Sequence, residues 1–241
     1  MKDNPEKTDL FFVGDIHGEL KTSVYELVER YKIKNANIIY LGDFGVGFGK
    51  PKSIHHLYSE VVGRLEKNNL NLFTIRGNHD NRDFFDGTHD FPRLKFLPDH
   101  QLVTISGKTI YPVGGGTSVD KDWRIMENNE AKKRGSCLRY WWSGERVTKK
   151  YTNLPARPDI IISHEAPMDF EPVIIREADS FPAEIVDQVV EDRDYLSWLI
   201  RELKPSRWYH GHYHKSSSGE YLGTLYRGLA INEVYMFPDY E

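Results

Sequence analysis

The chain has 241 residues, 39% hydrophobic and 28% charged, with a formal net charge of −4. That length suits one large α/β unit with a sizeable core, and the charge gives no global footprint for nucleic acid or an anionic membrane. Cys137 is the only cysteine, which excludes an intrachain disulfide, and no apolar run approaches the roughly 18 residues a membrane helix needs. With a polar stretch over residues 1–9 and no apolar signal core, the expectation is a cytoplasmic protein without a membrane partner.

Residues 10–13 are a short apolar run ending at Gly14-Asp15 and read as a buried strand. Leu20, Val24, Leu27, Val28 and Tyr31 recur at helical spacing, which predicts an amphipathic helix over 19–31. Residues 38–41 form the next buried strand, closing at Gly42-Asp43. Ser53 is placed to cap a second helix with Ile54, Leu57, Val61 and Leu65 on one face. Residues 70–75 are a third strand, ending at Arg76-Gly77-Asn78. This alternation argues for parallel βαβ units with functional loops at the carboxyl ends of the strands.

The pattern then changes. Residues 102–105 and 109–113 flank Ser106-Gly107-Lys108 and read as a hairpin. Gly114-Gly115-Gly116 opens a region with no clear period, and residues 159–162 are another buried strand feeding His164. A helix is predicted over 184–203, up to Pro205, then a strand over 207–209, then short closing antiparallel strands over 219–237. No repeat or linker interrupts the chain, so one domain over 1–241 is expected, with a basic and aromatic excursion at 117–150.

Five short groups sit just after apolar runs: Gly14-Asp15-Ile16-His17-Gly18, Gly42-Asp43, Gly77-Asn78-His79-Asp80, Ser163-His164-Glu165 and Gly211-His212-Tyr213-His214. Each alone has an ordinary explanation, such as a helix cap, a left-handed turn residue or a half-buried imidazole. Carboxylate, amide and imidazole groups repeated at strand ends are instead what a two-metal site on an α/β scaffold requires. Asp43, whose two oxygens can reach separate cations, is the expected bridge. The mixed donor set suits manganese, iron or zinc, and the lack of cysteine ligands argues against a thiolate zinc site.

In these blocks the chain resembles the calcineurin-like metallophosphoesterases, over residues 14–214. The resemblance implies a four-layer α/β/β/α sandwich with two mixed central sheets flanked by helices. It implies two divalent metal ions, with manganese favoured. One would be held by Asp15, His17, Asp43 and His214, the other by Asp43, Asn78, His164 and His212. His79 resembles the family's non-ligand catalytic histidine. The implied chemistry is phosphoester hydrolysis: cations roughly 3.5–4 Å apart lower the pKa of a bridging water and neutralise phosphoryl oxygens. His79, if protonated, donates to the leaving oxygen.

Val46 stands where protein phosphatases of the family carry an acidic or polar partner for that histidine, and their Asp-Arg-Gly is missing, which puts a protein phosphatase activity in doubt. The glycine-rich stretch 45–50 is not a P-loop, because Phe44 and Pro51 stand where Gly and Ser/Thr are required.

Residues 117–150 carry nine Lys or Arg among Trp123, Tyr140, Trp141 and Trp142. They read as a surface excursion whose tryptophans pack on the core, or as a rim that grips substrate through Arg134 and Arg139. The expected substrate is a small phosphomonoester, phosphodiester or nucleotide. A nuclease and a noncatalytic interaction module, like the retromer subunit that shares this fold, are the rival readings. A scaffold has no need of all seven ligand positions and His79, and this sequence has them all.

Overall fold

The computed structural model describes residues 8–47, 54–136, 139, 141–170 and 181–238. Ser53, Cys137, Tyr140 and residues 48–50 of the glycine-rich stretch lie outside them. In chain order come β1 (Asp9–Val13), α1 (Leu20–Tyr25) with a π-helical turn (Glu26–Arg30), β2 (Ala36–Tyr40), α2 (Ile54–Lys67), β3 (Leu70–Thr74) and β4 (Leu94–Phe96). The hairpin β5 (Val103–Ile105) and β6 (Lys108–Val113) follows, then α3 (Lys121–Lys133), β7 (Ile160–Ser163), α4 (Ala183–Leu203) and β8 (Arg207–His210). The chain closes with β9 (Ser217–Tyr221), β10 (Thr224–Gly228) and β11 (Val234–Met236).

Strand alternation builds the layers. A five-stranded sheet runs β11-β1-β2-β3-β4, parallel except for β11, and a six-stranded sheet runs β5-β6-β7-β8-β10-β9, antiparallel only at its two outer pairs. Leu10, Phe12, Ile39 and Leu41 of the first sheet pack with Ile110, Ile160, Ile162 and Tyr209 of the second. Their neighbours Val13, Ile38 and Tyr40 turn to the other face, against Leu20, Val24, Leu27, Val61 and Leu65 of the helices. In the second sheet Ile161 and Trp208 likewise turn outward, onto Leu196, Leu199, Ile200 and Leu203 of α4. Side chains of period two therefore feed two different cores from one strand. The result is the expected helix–sheet–sheet–helix sandwich.

Two elements were not expected. β4 has only three residues, too few for a periodic signal. Helix α3 buries only Ala131, so no apolar stripe marks it. Trp123 on that helix is half exposed rather than packed on the core, while Trp141 and Trp142 are partly buried.

Candidate metal centre

The candidate ligands leave the carboxyl ends of five parallel strands, β1, β2 and β3 of one sheet and β7 and β8 of the other. The site therefore straddles the seam between the sheets. Turning side chains back toward that seam uses unusual backbone: His17, Asp43, His212 and His214 all have positive φ, between 45° and 70°. Such residues cost on the order of 1–3 kcal/mol each and cluster at functional sites.

Two knots of donor atoms meet at Asp43. In the first, Asp15, His17, Asp43 and His214 each place one ligand atom within 4.8 Å of the others, a group able to hold a metal ion. His17 Nε2 lies 3.0 Å from His214 Nε2, and Asp15 Oδ2 lies 3.1 Å from that same nitrogen. In the second, His164 Nε2 has Asn78 Oδ1 at 2.8 Å, His212 Nδ1 at 3.2 Å and Asp43 Oδ1 at 3.3 Å. The Leu41 carbonyl accepts from His164 Nδ1 at 2.8 Å, which leaves Nε2 to face the knot. Asp43 faces the first knot with Oδ2, 3.8 Å from His17 Nδ1, and the second with Oδ1. Imidazole nitrogens aimed at one another and at carboxylate oxygens have too few protons to satisfy every pair. A cation at each knot would resolve this, and the donor set is chemically suited to that.

The charges are strongly coupled. Burial alone would push the Asp43 carboxyl up, but the imidazoles of His164, His79 and His17 outweigh it and hold Asp43 well below the usual carboxylate range. Burial opposes a charge on His164, yet Asp43, Asp15 and the Leu41 carbonyl raise it to about 10. His79 goes the other way: burial lowers it to about 4 against the pull of Asp43, and the charge of Arg124 adds to that lowering. His79 is placed by Asp43, whose Oδ1 accepts its backbone N–H at 3.0 Å and whose Oδ2 lies 3.7 Å from Nε2.

The glycines of these blocks seat ligands of other blocks. A Cβ on Gly77 would lie 2.1 Å from both the Asp43 nitrogen and Oδ1, and one on Gly211 would lie 2.3 Å from Asp15 Oδ1. Asp80 is no ligand, and the structure gives it a different role. Its buried carboxylate accepts from the backbone N–H of Phe44, Gly45, Val46 and Gly77 at 2.7–3.1 Å. Position 46 is thus used through its backbone, and its apolar side chain packs in the core. Arg76 is also buried, and it donates to the carbonyls of Gly144, Glu145, Gly114 and Arg146 and to Asp99. It fastens the return of the 117–150 segment to the end of β3. Arg134 and Arg139 are exposed, and among the described residues neither is joined to the ligand set by a hydrogen bond or ion pair. Arg124 of that segment bears electrostatically on His79.

With this geometry in hand, a family profile described as calcineurin-like phosphoesterase matches residues 9–216. The chain belongs to that family. No curated protein matches it. Solved structures with a distant likeness include a phosphopantetheinyl hydrolase from Mycobacterium tuberculosis, at 13% identity and TM-score 0.46, covering 94% of this chain and 90% of that one. A conserved uncharacterized protein of Streptococcus pneumoniae, described as a predicted phosphoesterase, is 13% identical with TM-score 0.36, covering 93% of this chain and 72% of that one. GAP50, the anchor in the inner membrane complex of Plasmodium, is 13% identical with TM-score 0.40 and the same coverage of 93% and 72%.

Proposed function

We propose that this phosphoesterase-family chain hydrolyses a phosphorylated small molecule or nucleotide at two divalent cations, with manganese favoured. Asp15, His17, Asp43 and His214 would hold one ion; Asp43, Asn78, His164 and His212 would hold the other. The observation that supports this best is the division of Asp43, one oxygen toward each imidazole knot. Bound there, such ions would supply an activated water and neutralise phosphoryl oxygens. The chain's own contribution is to fix the donor atoms before substrate arrives, through strained turns and buried hydrogen bonds. His79, with Nε2 3.4 Å from Asn78 Nδ2 and 3.7 Å from Asp43 Oδ2, would donate to the leaving oxygen or steady charge there.

The test is a hydrolysis panel with manganese and with chelator, using p-nitrophenyl phosphate, its bis ester, dinucleotide polyphosphates and single-stranded DNA. Activity that depends on manganese and is lost in Asp43→Asn is expected, because that substitution removes the charge shared by both ions. Near-normal turnover by Asp43→Asn overturns the reading. Preference for single-stranded DNA favours the nuclease, and an inert protein that binds no manganese favours the interaction module.

A further inference from the structure

Two buried acids outside the ligand set face its second knot. Glu165 is fully buried, and its Oε1 accepts from the Ala166 N–H at 2.8 Å and from the Tyr213 hydroxyl. Its Oε2 is buried without a hydrogen-bond partner among the described residues and lies 3.5 Å from His212 Nε2, on the side of the ring opposite the Nδ1 that faces His164. Glu145, also buried, accepts from Ser118 Oγ at 2.6 Å and from the Ser118 N–H at 3.3 Å. Ser118 Oγ in turn accepts from Asn78 Nδ2 at 2.9 Å. That bond decides which end of the amide points where: with Nδ2 held by Ser118, Oδ1 is the atom left facing His164 Nε2.

The first knot lacks such support among the described residues. His214 has a side chain 45% exposed and His17 one 27% exposed, against 0% for His164 and 15% for His212. An acceptor behind a metal-binding imidazole fixes its tautomer and raises its basicity, and loss of such partners typically costs 10–100-fold in metal affinity.

We infer that Glu165 and the Ser118–Glu145 pair are positioning residues for one ion only, the one held by Asn78, His164 and His212. Glu165 sets His212 with Nδ1 turned to the ion. Ser118, backed by Glu145, sets Asn78 with Oδ1 turned to it. This rests on the two-ion reading proposed above. It predicts unequal sites: a guarded ion in the buried knot and a more exchangeable one at the exposed knot.

The test is manganese binding by calorimetry, with metal content measured by elemental analysis after gel filtration, on the full chain and on Glu165→Gln, Glu165→Ala and Ser118→Ala. Melting temperature is followed in chelator. Wild type should bind two equivalents, one much tighter than the other. Each variant should weaken the tighter equivalent about 10-fold or more and leave the weaker one in place, with the chelated melting temperature little changed. Glu165→Gln, which keeps volume and an acceptor oxygen, should fall between wild type and Glu165→Ala. Ser118→Ala keeps the inference testable if Glu165→Ala does not fold. Variants that bind both equivalents as wild type does overturn it. Loss of both equivalents in step with the chelated melting temperature also overturns it, as a merely structural role would do. A wild-type chain that binds no manganese defeats the two-ion reading instead.

Discussion

Asp80→Ala should loosen the fold and the site together. The carboxylate is 1% exposed and accepts four backbone N–H groups, three from residues 44–46 after β2 and one from Gly77 after β3. Each buried donor left unmatched costs roughly 1–3 kcal/mol, so four at about 1.5 kcal/mol would cost on the order of 6 kcal/mol. Part of this is returned. Burial and the Asp43 charge push the Asp80 carboxyl up, so its removal relieves desolvation and repulsion that we take as about half of that figure. The expected net loss is about 3 kcal/mol, read by urea denaturation in chelator at pH 7.5. Manganese affinity should fall as well, because the turn that carries Asp43 is no longer tied to Gly77. A loss below about 1 kcal/mol would refute the reasoning, since it would mean that the four donors find other partners in the folded state.

Gly77→Ala places a Cβ 2.1 Å from the Asp43 nitrogen and Oδ1, and backbone cannot step aside cheaply. A loss of about 3 kcal/mol or an insoluble chain is expected, and a denaturation midpoint like wild type would contradict it. Glu145→Gln should change how stability depends on pH. Burial raises the Glu145 carboxyl from an ordinary value near 4.5 to about 6, so its contribution to stability is complete below pH 4.5 and is lost as pH climbs through 6. In chelator, the stability of wild type relative to the variant should therefore fall by about 2 kcal/mol between pH 4 and 7.5; a flat difference would count against it. Lys204 ends α4 at φ 45° and ψ 55° and is exposed. Lys204→Gly should raise stability by about 0.5 kcal/mol, or ~1–2 °C by calorimetry, and a lowered melting temperature would argue otherwise.

The layers and the ligand set were legible in the sequence for different reasons. Strands β1, β2, β3 and β7 are runs of four or five residues, buried on one or both faces and bounded by turn residues, so composition alone betrays them. Asp15, Asp43, Asn78, His164 and His212 each follow such a run closely, and the spacing shows them as strand-end residues. Helix α3 was missed because Ala131 is its only fully buried residue, so it offers no apolar stripe to read. The roles of Asp80, Glu145 and Glu165 were missed because their partners are backbone amides, a serine and a remote imidazole. No local spacing marks an acid whose partners lie dozens of residues away. The one available signal was an unexplained acid within or beside a ligand block, which both Asp80 and Glu165 satisfy.

The strain at the ligand turns explains why these outlying acids matter. Four ligand residues with positive φ would cost several kcal/mol if each turn stood alone. They do not stand alone. The His17 and Gly18 N–H groups donate to the carbonyls of Asp43 and Phe44 at 2.8 and 3.0 Å, and the His212 N–H donates to Asp15 Oδ1 at 3.2 Å. Asp80 then ties the turn after β2 to the turn after β3. The turn after β2 is thus bonded to those after β1 and β3, and the turn after β8 to that after β1, across the seam between the sheets. A ligand side chain can hold an unfavourable backbone geometry because relaxing it would break bonds belonging to another strand's turn. The ligand side chains are thereby held by bonds between the turns, with His17 Nε2 3.0 Å from His214 Nε2 and Asn78 Oδ1 2.8 Å from His164 Nε2.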